Sequence, residues 1–200
     1  MTQAVLLDLG NVVLGVDFRN VFRHWAASAN IDEERFFEHW RMDAAYEAHE
    51  RGELPFEDYA EHLAGVFDVE LTRDQWLAGW NAIWTEPFQQ VISMLPEVAK
   101  RYPLYCFTNT NDAHTLHWRH HYAEAISHFQ HTFVSSELGM RKPDVSAFHY
   151  VCAEMQQPPS NILFLDDTQT NVDGAHAAGL NAKHVRNESE VVAELAQLLK

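Results

Sequence analysis

Two hundred residues with a formal net charge of −15 argue against a nucleic-acid surface, because phosphate backbones are held by clustered Lys and Arg. Apolar residues make up 46% of the chain, with six Trp and twelve Phe, which excludes a disordered chain, and the length suits one core domain with an insert or two small domains. No stretch reaches the ~20 apolar residues that a membrane span needs.

The N-terminal MTQAVLLDLGNVVLGV lacks a basic leader and carries Asp8 in its apolar middle, so it does not read as a secretory signal. Only Cys106 and Cys152 are present, one in an apolar run and one in a helical pattern. Both are expected to be buried thiols of a reducing compartment, which places the chain in the cytoplasm.

The first apolar run, residues 4–7 (AVLL), predicts a buried strand that ends at Asp8. Residues 17–86 then show helical periodicity and no strand. Phe18, Val21, Phe22, Trp25 and Ala26 form one stripe; Phe56, Tyr59, Ala60, Leu63, Ala64 and Phe67 form a second. Trp76, Leu77, Trp80, Ile83 and Trp84 form a third, behind the capping-box pattern Thr72-x-x-Gln75. Seventy residues of helix are too long for a simple crossover and read as an inserted cap.

Beyond residue 86 the chain alternates. A helical stripe from Phe88 to Ala99 precedes strand 104–107 (LYCF), which runs into Thr108 and Asn109. Strand 132–135 leads towards Lys142, and a stripe from Ala147 to Met155 precedes strand 162–165 (ILFL), which ends at Asp166-Asp167. A helix to Ala178 stops at Gly179, and residues 181–185 make the last strand. The expected fold is therefore α/β: a doubly wound, Rossmann-like parallel sheet core from residues 1–16 and 87–200, with an all-helical cap from 17–86.

In open parallel sheets, ligands sit outside the carboxyl ends of the strands. Asp8, Thr108 and the Asp166-Asp167 pair all fall there, and Lys142 lies in a loop nearby. Each alone is commonplace as a cap or turn residue; in this order they make a set. The carboxylates supply hard oxygen ligands for Mg²⁺, and an aspartate can attack phosphorus to form an aspartyl-phosphate. Two unit charges ~4 Å apart repel by roughly 4 kcal/mol at an effective dielectric of 20. Mg²⁺ and Lys142 must cancel that term, while Thr108 and Asn109 donate to the equatorial oxygens.

At these residues the chain resembles the haloacid-dehalogenase-like (HAD) hydrolase superfamily, and within it the bacterial α-D-glucose-1-phosphate phosphatase group. The resemblance spans the whole chain. It rests on Asp8-Leu9-Gly10-Asn11-Val12, on Thr108-Asn109-Thr110-Asn111, on LGMRKP ending at Pro143, on Phe164-Leu165-Asp166-Asp167, and on the cap segment His49-Glu50-Arg51-Gly52-Glu53. It implies that Asp8 is nucleophile and first metal ligand, that Thr108 and Asn109 hold phosphate, and that Lys142 neutralises it. Asp167 would bind Mg²⁺ directly, Asp166 directly or through water, and the Gly10 carbonyl would complete the protein's ligands. The implied activity is hydrolysis of a small phosphorylated metabolite such as α-D-glucose 1-phosphate. No nucleic-acid or membrane partner is expected, and the chain should be a monomer or weak homodimer.

One position departs from the superfamily pattern D-x-D-G-[TV]. Gly10 stands where a second Asp acts as general acid, and Asn11 stands where the glycine would be. Asn tolerates positive φ, so the turn can survive without the acid. Either the leaving group needs little protonation, as an anomeric oxygen would, or a cap residue such as His49 delivers the proton. Arg51, beside Gly52, is a second cap candidate for substrate binding. Two rivals remain at this level: a 2-haloacid dehalogenase using the same Asp8, and a catalytically weakened regulatory or binding relative. His114, His117, His120 and His121 crowd one helical stretch, with no Glu or further ligand to complete a zinc site; they read as a polar helix surface.

Overall fold

The computed structural model describes residues 1–200. β1 (Ala4–Leu7) is buried along its whole length, with Val5 and Leu7 packing into one apolar cluster and Ala4 and Leu6 into another. That two-sided burial is why its sequence is continuously apolar rather than alternating. β2 (Leu14–Val16) then leaves the sheet and leads into α1 (Phe18–Ala29), which Asp17 caps by accepting from the Arg19 N–H. α2 (Glu34–His39), α3 (Ala44–Glu50), α4 (Phe56–Phe67) and α5 (Arg73–Asn81) follow, the last opened by the Thr72/Gln75 capping box.

The helical pattern fails at its end. Trp84 belongs not to a helix but to β3 (Trp84–Pro87), which pairs antiparallel with β2. This two-stranded ribbon carries the chain out to the helices and back. A three-residue strand containing Gly15 is too short to show a period, and Trp84 and Thr85 are β-formers that the helical stripe had absorbed.

The remainder alternates: α6 (Gln89–Arg101), β4 (Leu104–Thr108), α7 (Asp112–His121), α8 (Ala123–Ile126), β5 (His131–Val134), α9 (Ser135–Leu138), α10 (Val145–Glu154), β6 (Ile162–Asp166), α11 (Gln169–Ala177), β7 (Asn181–His184) and α12 (Glu188–Leu198). The five main strands form one parallel sheet in the order β5-β4-β1-β6-β7. β1 therefore lies between the two strands that carry the other candidate residues. α6 and α12 cover one face of this doubly wound sheet and α10 and α11 the other. Cys106 and Cys152 are buried free thiols. No helix is long and apolar enough to cross a membrane.

The helical cap has a core of its own, dense in aromatics. Trp25 stacks on Trp80 at 5.8 Å, meets Trp76 edge-on at 4.8 Å, and donates its indole N–H to the Trp76 carbonyl. Gly79 makes this possible, since a Cβ there would lie 2.1 Å from Trp25 Cδ1. Helix propensity alone favours Ala over Gly by ~1 kcal/mol. Here packing overrides it: Gly79→Ala should destabilise the protein by about 1–3 kcal/mol in chemical denaturation, as overpacked cores do. A stabilised variant would contradict this packing.

Candidate active site

Adjacent strands deliver the acidic groups to one edge. Leu7 pairs with Leu165, and the Asp8 N–H donates to the Leu165 carbonyl at 2.9 Å, so Asp8 and Asp166 emerge side by side. Thr108 ends β4 on the other flank of β1 and is buried. Between them reaches Lys142, fully buried, its ammonium 2.8 Å from Asp8 Oδ1 and 2.6 Å from Asp166 Oδ2. The Phe107 and Phe164 rings flank the same ammonium, each centroid 5.4 Å away. Burial pulls the Lys142 pKa down, but the charges of Asp166 and Asp8 outweigh it, so the ammonium is held above its ordinary range.

The carboxylates respond oppositely. Burial pushes Asp8 up to about 8; Lys142 pulls it down, while the charges of Asp166 and Asp167 push it further up. Asp167 is likewise raised, by burial and by the Asp166 charge. Three carboxylates around one ammonium leave an excess of negative charge at the site.

Second-layer contacts fix the geometry. Asp166 is saturated: its Oδ1 accepts from the Thr168 N–H and Asn171 Nδ2, and its Oδ2 from Lys142. Asp167 is more open, with Oδ2 accepting from Asn11 Nδ2 at 3.2 Å and its carbonyl from His184 Nε2. Asn11 sits at φ 52, as its residue type allows, and also accepts from the Val16 N–H. Asn109 clamps the Lys142 backbone from both sides, donating Nδ2 to its carbonyl at 2.8 Å and accepting from its N–H at 2.9 Å. Its side chain is thus committed to Lys142, which leaves the peptide N–H as the group it can offer an anion. Asn171 and His184 escaped the sequence because they lie 5 and 17 positions from their partners and belong to no motif, and the clamp because it joins side chain to backbone across 33 positions.

The donor set fits a divalent cation. One carboxylate oxygen from each of Asp8, Asp166 and Asp167 lies within 4.8 Å of the others. They are hard oxygen ligands, the type Mg²⁺ takes, and its two charges would match the excess. Gly10 has room for more than hydrogen: a Cβ would meet only the Val16 methyls, at 3.5 and 3.7 Å. Space does not dictate its missing carboxylate.

The cap candidates sit differently. His49 is buried, its ring stacked on Tyr59 at 4.7 Å and its Nδ1 2.8 Å from the Leu54 carbonyl. A carbonyl only accepts, so Nδ1 bears the hydrogen and Nε2 the lone pair; burial lowers the pKa and keeps the ring neutral. In that form Nε2 can take a proton but not give one. Arg51 lies at the turn after α3, paired with Glu53 at 3.0 Å and Glu47 at 3.7 Å. The four histidines of α7 are not one polar surface: His114 is buried against Trp80, its pKa lowered by burial to about 3, while His117 and His121 stack at 4.1 Å nearer the surface.

The site is a cluster of carboxylates around one lysine at the strand ends of a capped parallel α/β sheet. The chain belongs to the haloacid dehalogenase-like hydrolase family, whose model matches residues 2–179. It is similar to a D-ribitol-5-phosphate phosphatase from Bacteroides thetaiotaomicron, 20% identical over 204 residues, covering 100% of this chain and 99% of that protein. Its fold matches a HAD-like family hydrolase from Porphyromonas gingivalis (TM-score 0.84, 22% identity, 100% of this chain and 98% of that one). It also matches a HAD family enzyme from B. thetaiotaomicron in complex with magnesium and inorganic phosphate (TM-score 0.76, 21% identity, 92% and 94%).

The raised Asp8 makes a pH prediction for metal-free protein. Between an ordinary 3.8 and about 8 the folded state holds a proton that the unfolded chain has released, so this group's contribution falls as pH rises through that window. Asp8→Asn removes the effect. With a chelator present, urea denaturation should show wild type losing stability relative to Asp8→Asn from pH 5 to pH 8. A constant difference would contradict it.

Proposed function

We propose that the protein is a Mg²⁺-dependent phosphatase acting on a small phosphorylated metabolite, with Asp8 as nucleophile. The observation that carries this reading is the buried Lys142 ammonium shared between Asp8 and Asp166, with Asp167 beside them. Such a cluster repels a phosphate dianion unless a divalent cation joins it, and welcomes one when it does. Asp8, Asp167 and the Gly10 carbonyl would hold the cation, with Asp166 chiefly anchoring Lys142. When bound, Mg²⁺ supplies charge neutralisation at the phosphoryl oxygens. The resemblance to a phosphatase named for a polyol phosphate supports the substrate class.

In the reaction, an Asp8 oxygen bonds to phosphorus as the ester P–O bond breaks, and the departing oxygen takes its proton from water. Water then attacks the aspartyl-phosphate, releasing inorganic phosphate and restoring Asp8. Lys142 stabilises the phosphoryl charge, and Thr108 with the Asn109 peptide N–H donates to its oxygens. The cap closes over the site and excludes bulk water.

Gly10 narrows the substrate further. Without a general acid the leaving oxygen departs largely unprotonated, which favours an anomeric oxygen over a primary alkoxide. α-D-Glucose 1-phosphate is therefore preferred to glucose 6-phosphate or D-ribitol 5-phosphate.

Hydrolysis should require Mg²⁺, stop with EDTA, and fall by about 10³-fold or more in Asp8→Asn. Activity that survives either treatment, or chloride release from 2-chloropropionate, would contradict the assignment. Because a Cβ at Gly10 meets no clash, Gly10→Asp should fold and raise turnover of glucose 6-phosphate relative to glucose 1-phosphate by about 10-fold or more, a part of the ~10²–10⁴-fold a general acid contributes. An unchanged ratio would show that position 10 does not set the leaving group.

A further inference from the structure

Arg141 precedes the buried lysine and points the other way. Its Nε and one terminal nitrogen lie 2.9 and 2.8 Å from Glu50 Oε2, and the other terminal nitrogen lies 3.3 Å from Glu47 Oε1. Both glutamates belong to α3 of the cap, and Glu50 is buried. These are the only salt bridges that join the cap to the core; every other ion pair is internal to one of them. The neighbouring cap turn presses on the core as well: Gly52, at φ +70, would place a Cβ 2.4 Å from the Ser136 carbonyl of α9. The loop carrying Lys142 is therefore gripped on one side by Asn109 and on the other by the cap.

We propose that Arg141 and Glu50 form the contact through which cap closure sets the position of Lys142, Arg141 acting as a positioning residue. The inference rests on the phosphatase reading for its kinetic consequence. A substrate has to enter between cap and core, so α3 must lift away from the Lys142 loop for entry and return for chemistry. Lifting it separates Glu50 from Arg141 and hydrates both. Closing it re-forms a largely buried pair whose geometry is strict, because a guanidinium shielded from water is held best by well-aligned oxygens. The backbone that presents Arg141 to Glu50 is the backbone that presents Lys142 to Asp8. Closure and correct lysine placement are then one event.

A merely structural pair behaves differently when both partners are replaced. Removing one partner strands a buried charge, whereas exchanging both for apolar residues of similar size commonly restores stability. Arg141→Met should lower both melting temperature and kcat. The double variant Arg141→Met/Glu50→Leu should recover most of the melting temperature, yet keep kcat for glucose 1-phosphate at least 10-fold down with KM within threefold. Arg141→Lys, which keeps the charge but not the fork, should fall between. Hydrogen exchange of the Lys142 peptide N–H, measured without substrate, should quicken at least 10-fold in both Met-containing variants.

A double variant with wild-type kcat, a loss appearing wholly in KM, or unchanged Lys142 exchange would overturn the proposal. If wild type hydrolyses no phosphate ester while the exchange pattern appears as expected, the phosphatase reading falls and the mechanical coupling stands.

Discussion

The structure depends on a buried ammonium. Lys142 has no exposure, and an unpaired charge in that position would cost several kcal/mol. Asp8 and Asp166 pair with it, two phenylalanine faces flank it, and Asn109 holds its backbone. Asn171 and the Thr168 N–H then fix Asp166, while Asn11 and His184 hold Asp167. Each contact serves to hold like charges close together. That crowding makes the site chemically potent, since carboxylates forced together bind a cation that isolated ones would leave in water.

The parallel sheet supplies the crowding. β1 sits between β4 and β6, so Asp8, Thr108 and the Asp166-Asp167 pair emerge from adjacent strands at one edge. The helices between β2 and β3 build their own aromatic core and are joined to the sheet domain by a short ribbon and few polar contacts. A body with its own core can move as a unit. The Arg141–Glu50 pair and the close approach of Gly52 to α9 mark where it meets the sheet domain.

Much of this was legible in the amino-acid order. Strands buried on both faces are continuously apolar, so residues 4–7, 104–107 and 162–165 announced themselves, and the polar residues at their ends stood out. The 3.6-residue stripes of α1 and α4 and the capping box of α5 were equally plain. The β2–β3 ribbon was not, because three residues have no period and Trp84 satisfied a helical one. Nor was the fate of Asn109, whose motif position suggested phosphate while its carboxamide serves Lys142. His114 read as surface because its neighbours are polar; only the tertiary contact with Trp80 buries it. The Arg141–Glu50 pair joins residues 91 positions apart, which no local pattern encodes.

The central claim is that Asp8 itself carries the phosphoryl group during turnover. Wild-type protein mixed with Mg²⁺ and glucose 1-phosphate, quenched in acid and reduced with borohydride, would convert an aspartyl-phosphate to homoserine that peptide mass spectrometry can locate. Homoserine is expected at position 8 during turnover and none when substrate is omitted. Reduction at Asp166 or Asp167 instead, or none at any aspartate while phosphate is being released, would contradict it.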